Sequence, residues 1–382
     1  MVDLLARLSP EMESKWLALN DKNDSKSPTC LLNPFTCDDI EIQAYVKQVL
    51  ALFACPLAPC HPTLPPDDLA DSSNPSSELL SKLGISKSTD PSLKASHSDL
   101  RALFRRLLRI LVRFCPDLAK LLTFLRSEVA RVEKLVKKRE DGDEDDANDE
   151  EVEEGERMVE LSWVSGGSLV HACFHEMIDV VDEDSSSSSP RLFHLPAVYS
   201  RRHFLSLSAP FLPSLLNDEE LLIIKGVQTL ESLTRSFEDA SLDRDVLSDL
   251  HFRNVLSAVT ERVLIRCPSK LIRRRAVEWI RDLAPKFDAS GRFFYIRGLY
   301  YTSDHAGFKG YILTYLLKPE IEAALKRKDE GCEKDTKGEE VHSFIGANMK
   351  SWFKAIFSLA EGVETDLMQH QDHCMAALNL LR

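Results

Sequence analysis

From Leu118 to Val136 apolar side chains return every third or fourth residue, at Leu118, Leu121, Leu122, Leu125, Val129, Val132 and Val136, while Arg126, Arg131, Lys134 and Lys137 fill the gaps. That spacing predicts an amphipathic helix with one buried stripe. A partner is predicted just before it, where Leu103, Leu107, Ile110, Leu111 and Phe114 repeat at the same steps, Ser98 or Asp99 can cap, and Pro116 restarts the chain after Cys115. Residues 98–139 therefore read as a helix pair.

The pattern is most regular after Asn217. Asn217 and Glu220 form a capping-box-like start for a helix carrying Ile223, Val227, Leu230 and Leu233. A second helix runs from about Leu247 to Ile265, with Leu250, Val255, Val259 and Val263 apolar. After Cys267-Pro268, Ser269 caps a third with Ile272, Ala276, Trp279, Ile280 and Leu283 on one stripe. Phe308, Ile312 and Leu316 mark a fourth, which Pro319 should kink or restart. Ile345, Met349, Trp352, Phe353 and Ile356 mark a fifth, and a last helix from near Thr365 carries Leu367, Cys374, Leu378 and Leu381. Strand-like alternation is confined to Met158–Val164.

The remaining stretches do not carry such stripes. Residues 1–97 hold one short helix near 38–54, then a Pro- and Ser-rich linker that includes CPLAPCHPTLPPDD. Residues 140–157 are almost wholly acidic and cannot bury apolar surface, so they read as a disordered insertion. The DEDSSSSSP tract, 182–190, reads as a second loop of that type. Successive amphipathic helices with no dominant hydrophobic one, interrupted by extruded loops, predict an all-α fold. Its expected form is a degenerate HEAT-like helical-repeat solenoid over residues 158–382.

Charge sharpens this picture. The net charge of -13 is concentrated in residues 140–156, which hold twelve acids and no Lys or Arg; the rest of the chain sums to about -1. No positive field is left to hold a phosphate backbone, so nucleic acid is not an expected partner. The nine cysteines are scattered without a C-x-x-C pair, as expected of reduced thiols in a cytoplasmic protein. The N-terminus lacks the continuous apolar core of a signal peptide. No stretch approaches the roughly 20 uncharged apolar residues that span a bilayer, so no membrane association is expected.

Candidate chemistry is sparse. His171 and His175 stand at i and i+4, but Ala172 and Phe174 occupy the positions where H-E-x-x-H and H-x-x-E-H need a carboxylate. His370, His373 and Cys374 cluster on the last helix without a distant partner. Gly166-Gly167-Ser168 reads as a turn with no Lys for phosphate, and no G-x-S-x-G elbow occurs. The chain is thus expected to be no enzyme and to use no metal or cofactor. The basic spot Arg273-Arg274-Arg275, with Lys270 and Arg266, reads as a solvated helix face rather than a docking patch.

Four pieces, in order and register, carry a family resemblance. Cys267-Pro268 with LIRRRAV, Ser290-Gly291-Arg292-Phe293, TSDHAGFKGYIL (Thr302–Leu313) and EGVETDLMQHQDHCMAALNLLR (Glu361–Arg382) resemble the glomulin family, best over 217–382. The resemblance implies a HEAT-like protein that binds the RING-box subunit of cullin-RING ubiquitin ligases. It would inhibit them by covering the face that recruits the ubiquitin-conjugating enzyme. It also implies a link to FK506-binding immunophilins, so an immunophilin-associated adaptor without ligase inhibition is the alternative. Family members continue beyond the helix that ends here at Arg382, so this chain is expected to lack the C-terminal end. Within the best-matching stretch the polar residues Glu361, Glu364, Asp366, Asn379 and Arg382 are the expected partner contacts.

Overall fold

The structure is a computed structural model of the 382-residue chain. It describes residues 40–53, 118–140, 163–172, 200–217, 219–329, 343–358 and 366–381, with single positions at 11, 12, 14, 15, 18 and 111. Among them the protein is all-α, as the periodicity predicts. They contain no strand, only an isolated bridge between Leu242 and Phe287. No helix among them is long and apolar enough to cross a membrane. The chain forms two compact units, one of residues 1–229 with 269–271 and one of residues 230–268 with 272–382.

In the first unit α1 (Ile40–Phe53) buries Ile42, Tyr45, Val46 and Val49 at three- and four-residue steps. Helix α2 (Leu118–Glu140) does the same with Leu121, Leu122, Leu125 and Val129. Helix α3 (163–172) corrects two sequence readings. Gly166-Gly167-Ser168 is helical rather than a turn, and Trp163 and Val164 at the end of the strand candidate are helical too. The glycines permit close packing: a Cβ on Gly166 would lie 2.3 Å from the Phe211 ring, and one on Gly167 would lie 2.6 Å from Leu215 Cγ. Phe211 and Leu215 belong to the chain after α4 (Arg201–Ser208), where Leu212–Leu215 forms the single turn α5. Helix α6 (Glu220–Ser236) begins at Glu220, later than the Asn217 cap predicts. Ile223 N–H donates to the Glu219 carbonyl at its first turn.

The second unit takes the end of α6 from Leu230. A 3-10 turn (Arg244–Ser248) leads into α7 (Leu250–Ala258), which widens to a π-helical stretch over Val259–Arg266. Helix α8 (Lys270–Leu283) buries the predicted stripe of Ile272, Ala276, Trp279, Ile280 and Leu283. The Trp279 indole N–H donates to the Leu230 carbonyl at 3.1 Å and to Thr234 Oγ1 at 2.8 Å, fixing α8 against α6.

Helix α9 (Ala289–Thr302) was not anticipated by periodicity, because its apolar residues do not gather on one side. It buries Phe293, Tyr295, Ile296, Leu299 and Tyr300. Asp288 caps it, accepting the Gly291 N–H at 2.6 Å. Around it Phe293 meets Trp352 and Phe344 with ring centroids 5.6 Å apart, and Phe287 stacks on Tyr295 at 5.1 Å.

Helix α10 (Ala306–Tyr311) runs through a π-helical stretch (Ile312–Leu317) into α11 (Lys318–Asp329). Pro319 lies just after the widened stretch. A proline donates no N–H and its ring crowds the carbonyl four residues earlier, so the wider turn accommodates it without ending the helix. Helices α12 (Ala347–Ile356) and α13 (Gln371–Leu380) complete the described part. The acidic run at 140–157, apart from Glu140 at the end of α2, lies outside the described residues, as do the Ser-rich tract and the 54–96 linker.

Candidate partner-binding surface

Helix α13 and the turn before it form the candidate site, and the helix packs with its small residues inward. Its buried positions are His373, Ala376 and Ala377. They face α10, whose Gly310 comes so close that an added Cβ would sit 2.9 Å from the Asp372 carbonyl oxygen. Gly307, one turn earlier, has the Asp372 carboxylate 3.4 Å from the same construction. Bulk on this side would push the helices apart, so the large side chains of α13 point elsewhere.

The sequence reading put Leu367, Cys374, Leu378 and Leu381 on a last helix from near Thr365; the helix starts instead at Gln371, and Leu367, Leu378 and Leu381 are exposed. Leu367, Met368, Met375, Leu378 and Leu381 are between 54% and 79% exposed. Met375, Leu378 and Leu381 follow one another at three-residue steps along one side of the helix and its C-terminal cap, and Leu367 and Met368 lie in the turn before it. Isolated exposed leucines need no explanation, but five large apolar residues gathered on one element form a patch of the kind that marks interaction sites.

Two hydrogen bonds hold α13 in this orientation. The buried imidazole of His373 has Nε2 2.8 Å from the Tyr300 hydroxyl of α9. Lys318 of α11 donates to the Asn379 carbonyl at 3.3 Å. Burial, reinforced by Tyr301 and Cys374, pushes the Tyr300 phenol up to about 12, so it stays protonated. Burial, then the nearby Lys309 and His370, lowers the His373 pKa from 6.5. The neutral imidazole is therefore the form that suits this interface. The Lys309 ammonium lies 5.5 Å from the centre of the Tyr300 ring.

Of the expected partner contacts, Asp366 and Asn379 lie on this surface and are exposed, while Glu361, Glu364 and Arg382 lie outside the described residues. Asp366 also shapes the backbone, its Oδ1 accepting the N–H groups of Met368 at 2.9 Å and Gln369 at 3.4 Å. The exposed apolar residues beside them were not among the expected contacts. Their signal was present as periodicity, but periodicity alone does not say whether a stripe is covered.

Several other candidates have structural roles. His171 is 2% exposed with Nε2 3.1 Å from Gln228 Oε1, and His175 lies outside the described residues. No group of three or more potential metal-ligating side chains occurs among the described residues. In the basic spot, Arg273 donates to the Cys267 and Pro268 carbonyls. Arg274 pairs with Glu278 at 3.1 Å, and Arg275 makes a two-pronged pair with Glu231 at 2.9 and 2.6 Å.

Residues 72–382 match the model of a family described as an uncharacterised protein family, YAP/Alf4/glomulin. Among curated proteins the chain is similar to glomulin of Mus musculus, 30% identical over 189 residues, and to glomulin of Homo sapiens, 31% identical over 189 residues. In both, the matched stretch covers 49% of this chain and 30% of the relative.

Proposed function

This chain belongs to the YAP/Alf4/glomulin family, and from that membership we propose that it is a HEAT-like binding protein that inhibits cullin-RING ubiquitin ligases by masking the RING-box subunit. The observation that carries the reading is the outward apolar stripe of α13, within the family-matched region. Masking by steric competition needs a shaped surface and a few apolar anchors rather than a nucleophile or a metal. Leu367, Met368, Met375 and Leu378 are anchors of that kind, and methionines adapt to irregular partner surfaces. Asp366 and Asn379 supply a polar rim, to which Glu361, Glu364 and Arg382 are assigned by their place in the same sequence motif.

The test is ubiquitin chain formation by a purified cullin-RING complex with increasing amounts of the full chain. Inhibition that saturates at one chain per RING-box subunit supports the reading. Undiminished chain formation with no detectable complex contradicts it. Capture of an FK506-binding immunophilin by the same chain, with the ligase untouched, would favour the adaptor role instead.

A further inference from the structure

We propose that the contact between α10 and α13 is an acid-sensitive latch, closed while His305 and His373 are neutral and opened when they take up protons. His305 stands before the first turn of α10, and its Nδ1 accepts the Phe308 backbone N–H at 3.3 Å. A backbone amide can only donate, so this cap exists only while Nδ1 keeps its lone pair. Ser and Asn cap at any pH near neutrality, whereas an imidazole gives up the bond to a proton. His373 reaches the same contact from α13, 8% exposed, with its ring centroid 5.7 Å from that of Tyr300. Gly310 brings the α10 backbone against the α13 backbone there, so an imidazolium at position 373 gains water only if the helices separate.

The surrounding charges oppose one proton and redirect the other. At α10 they are Asp304 and Lys309, whose side chains pair at 3.6 Å. On α13 they are His370, Asp372 and Cys374, and on α9 Tyr300 and Tyr301. Burial first, then Lys309 and His370, disfavours the His373 cation. The Asp372 carboxylate faces His305 instead. A Cβ on Gly307 would lie 3.1 Å from the His305 ring and 3.4 Å from an Asp372 carboxylate oxygen, so the two side chains flank that glycine. Once charged, His305 exchanges the Phe308 amide for the Asp372 carboxylate and leaves the first turn of α10 uncapped. A cap is lost on one helix and a buried cation appears on the other, and the proton is the ligand of both events. The device concerns this contact alone and stands apart from the ligase reading.

Hydrogen exchange of the full chain, read by mass spectrometry at about pH 7.5 and about pH 5.5 and corrected for the intrinsic pH dependence of amide exchange, tests the latch. Peptides from Ala306–Tyr311 and Gln371–Leu380 should lose protection by about tenfold at the lower pH, while those from α8 keep theirs. His305→Asn keeps a capping acceptor that takes up no proton, and His373→Gln keeps a neutral hydrogen-bonding group. Together they should abolish the pH-dependent loss. His305→Asn alone, at an exposed position, should remove the part of the loss at Ala306–Tyr311. Equal protection at both pH values in the unaltered chain overturns the proposal, as does a loss that persists in full in His305→Asn or spreads equally to α8.

Discussion

Gly310 and His373 show how single residues set the face that α13 presents. The Gly310→Ala methyl would lie within 2.9 Å of the Asp372 carbonyl, a backbone atom that cannot rotate away, so α13 must shift. Forced overpacking of this kind costs about 1–3 kcal/mol, which should appear as a lowered Tm of the full chain. Tyr300→Phe leaves the buried His373 Nε2 without its partner and should cost a similar amount, about 1–3 kcal/mol by the same measurement. The titration of His373 has a definite sign. Its folded pKa lies below 6.5, so the unfolded chain binds the proton more readily. The contribution is fully present above pH 6.5 and is lost as pH falls from there through the folded value. Chemical denaturation from pH 7.5 downward should show this loss, and His373→Gln should flatten that part of the profile.

At the scale of elements, α8 and α13 mark what the sequence makes legible and what it hides. Helix α8 was readable because Ser269 precedes it and its apolar residues fall on one stripe, which the fold buries as read. Its charged residues were readable as a solvated face, although the pairing of Arg275 with Glu231, 44 residues away, is a tertiary fact that no local spacing reveals. Both side chains of that pair are about 15% exposed, and Glu231→Gln should cost about 1.5–3 kcal/mol in Tm-derived stability. Helix α9 was illegible because burial on several sides erases the period that identifies a helix. Helix α13 was half legible. The stripe was visible, but its direction is decided by Gly307 and Gly310 on α10, which admit only the small side of α13. The consequence separates surface from core: Met375→Glu and Leu378→Glu should change stability by no more than about 0.5 kcal/mol. The same substitution at Trp352 or Ile280, both buried, should unfold the unit.

Across the whole molecule, an all-α fold and a family match over residues 72–382 coincide with an exposed apolar surface on α13. Masking a RING-box subunit demands nothing catalytic of the chain, and His171, His373, Arg273, Arg274 and Arg275 have hydrogen-bond partners within the protein. The most direct measurement is ubiquitin chain formation by a cullin-RING complex, titrated in parallel with the unaltered chain and with the Met375→Glu, Leu378→Glu variant. The expected result is stoichiometric inhibition by the unaltered chain and loss of inhibition in the variant at equal thermal stability. Full ligase activity in the presence of excess unaltered chain, with no complex formed, would contradict it.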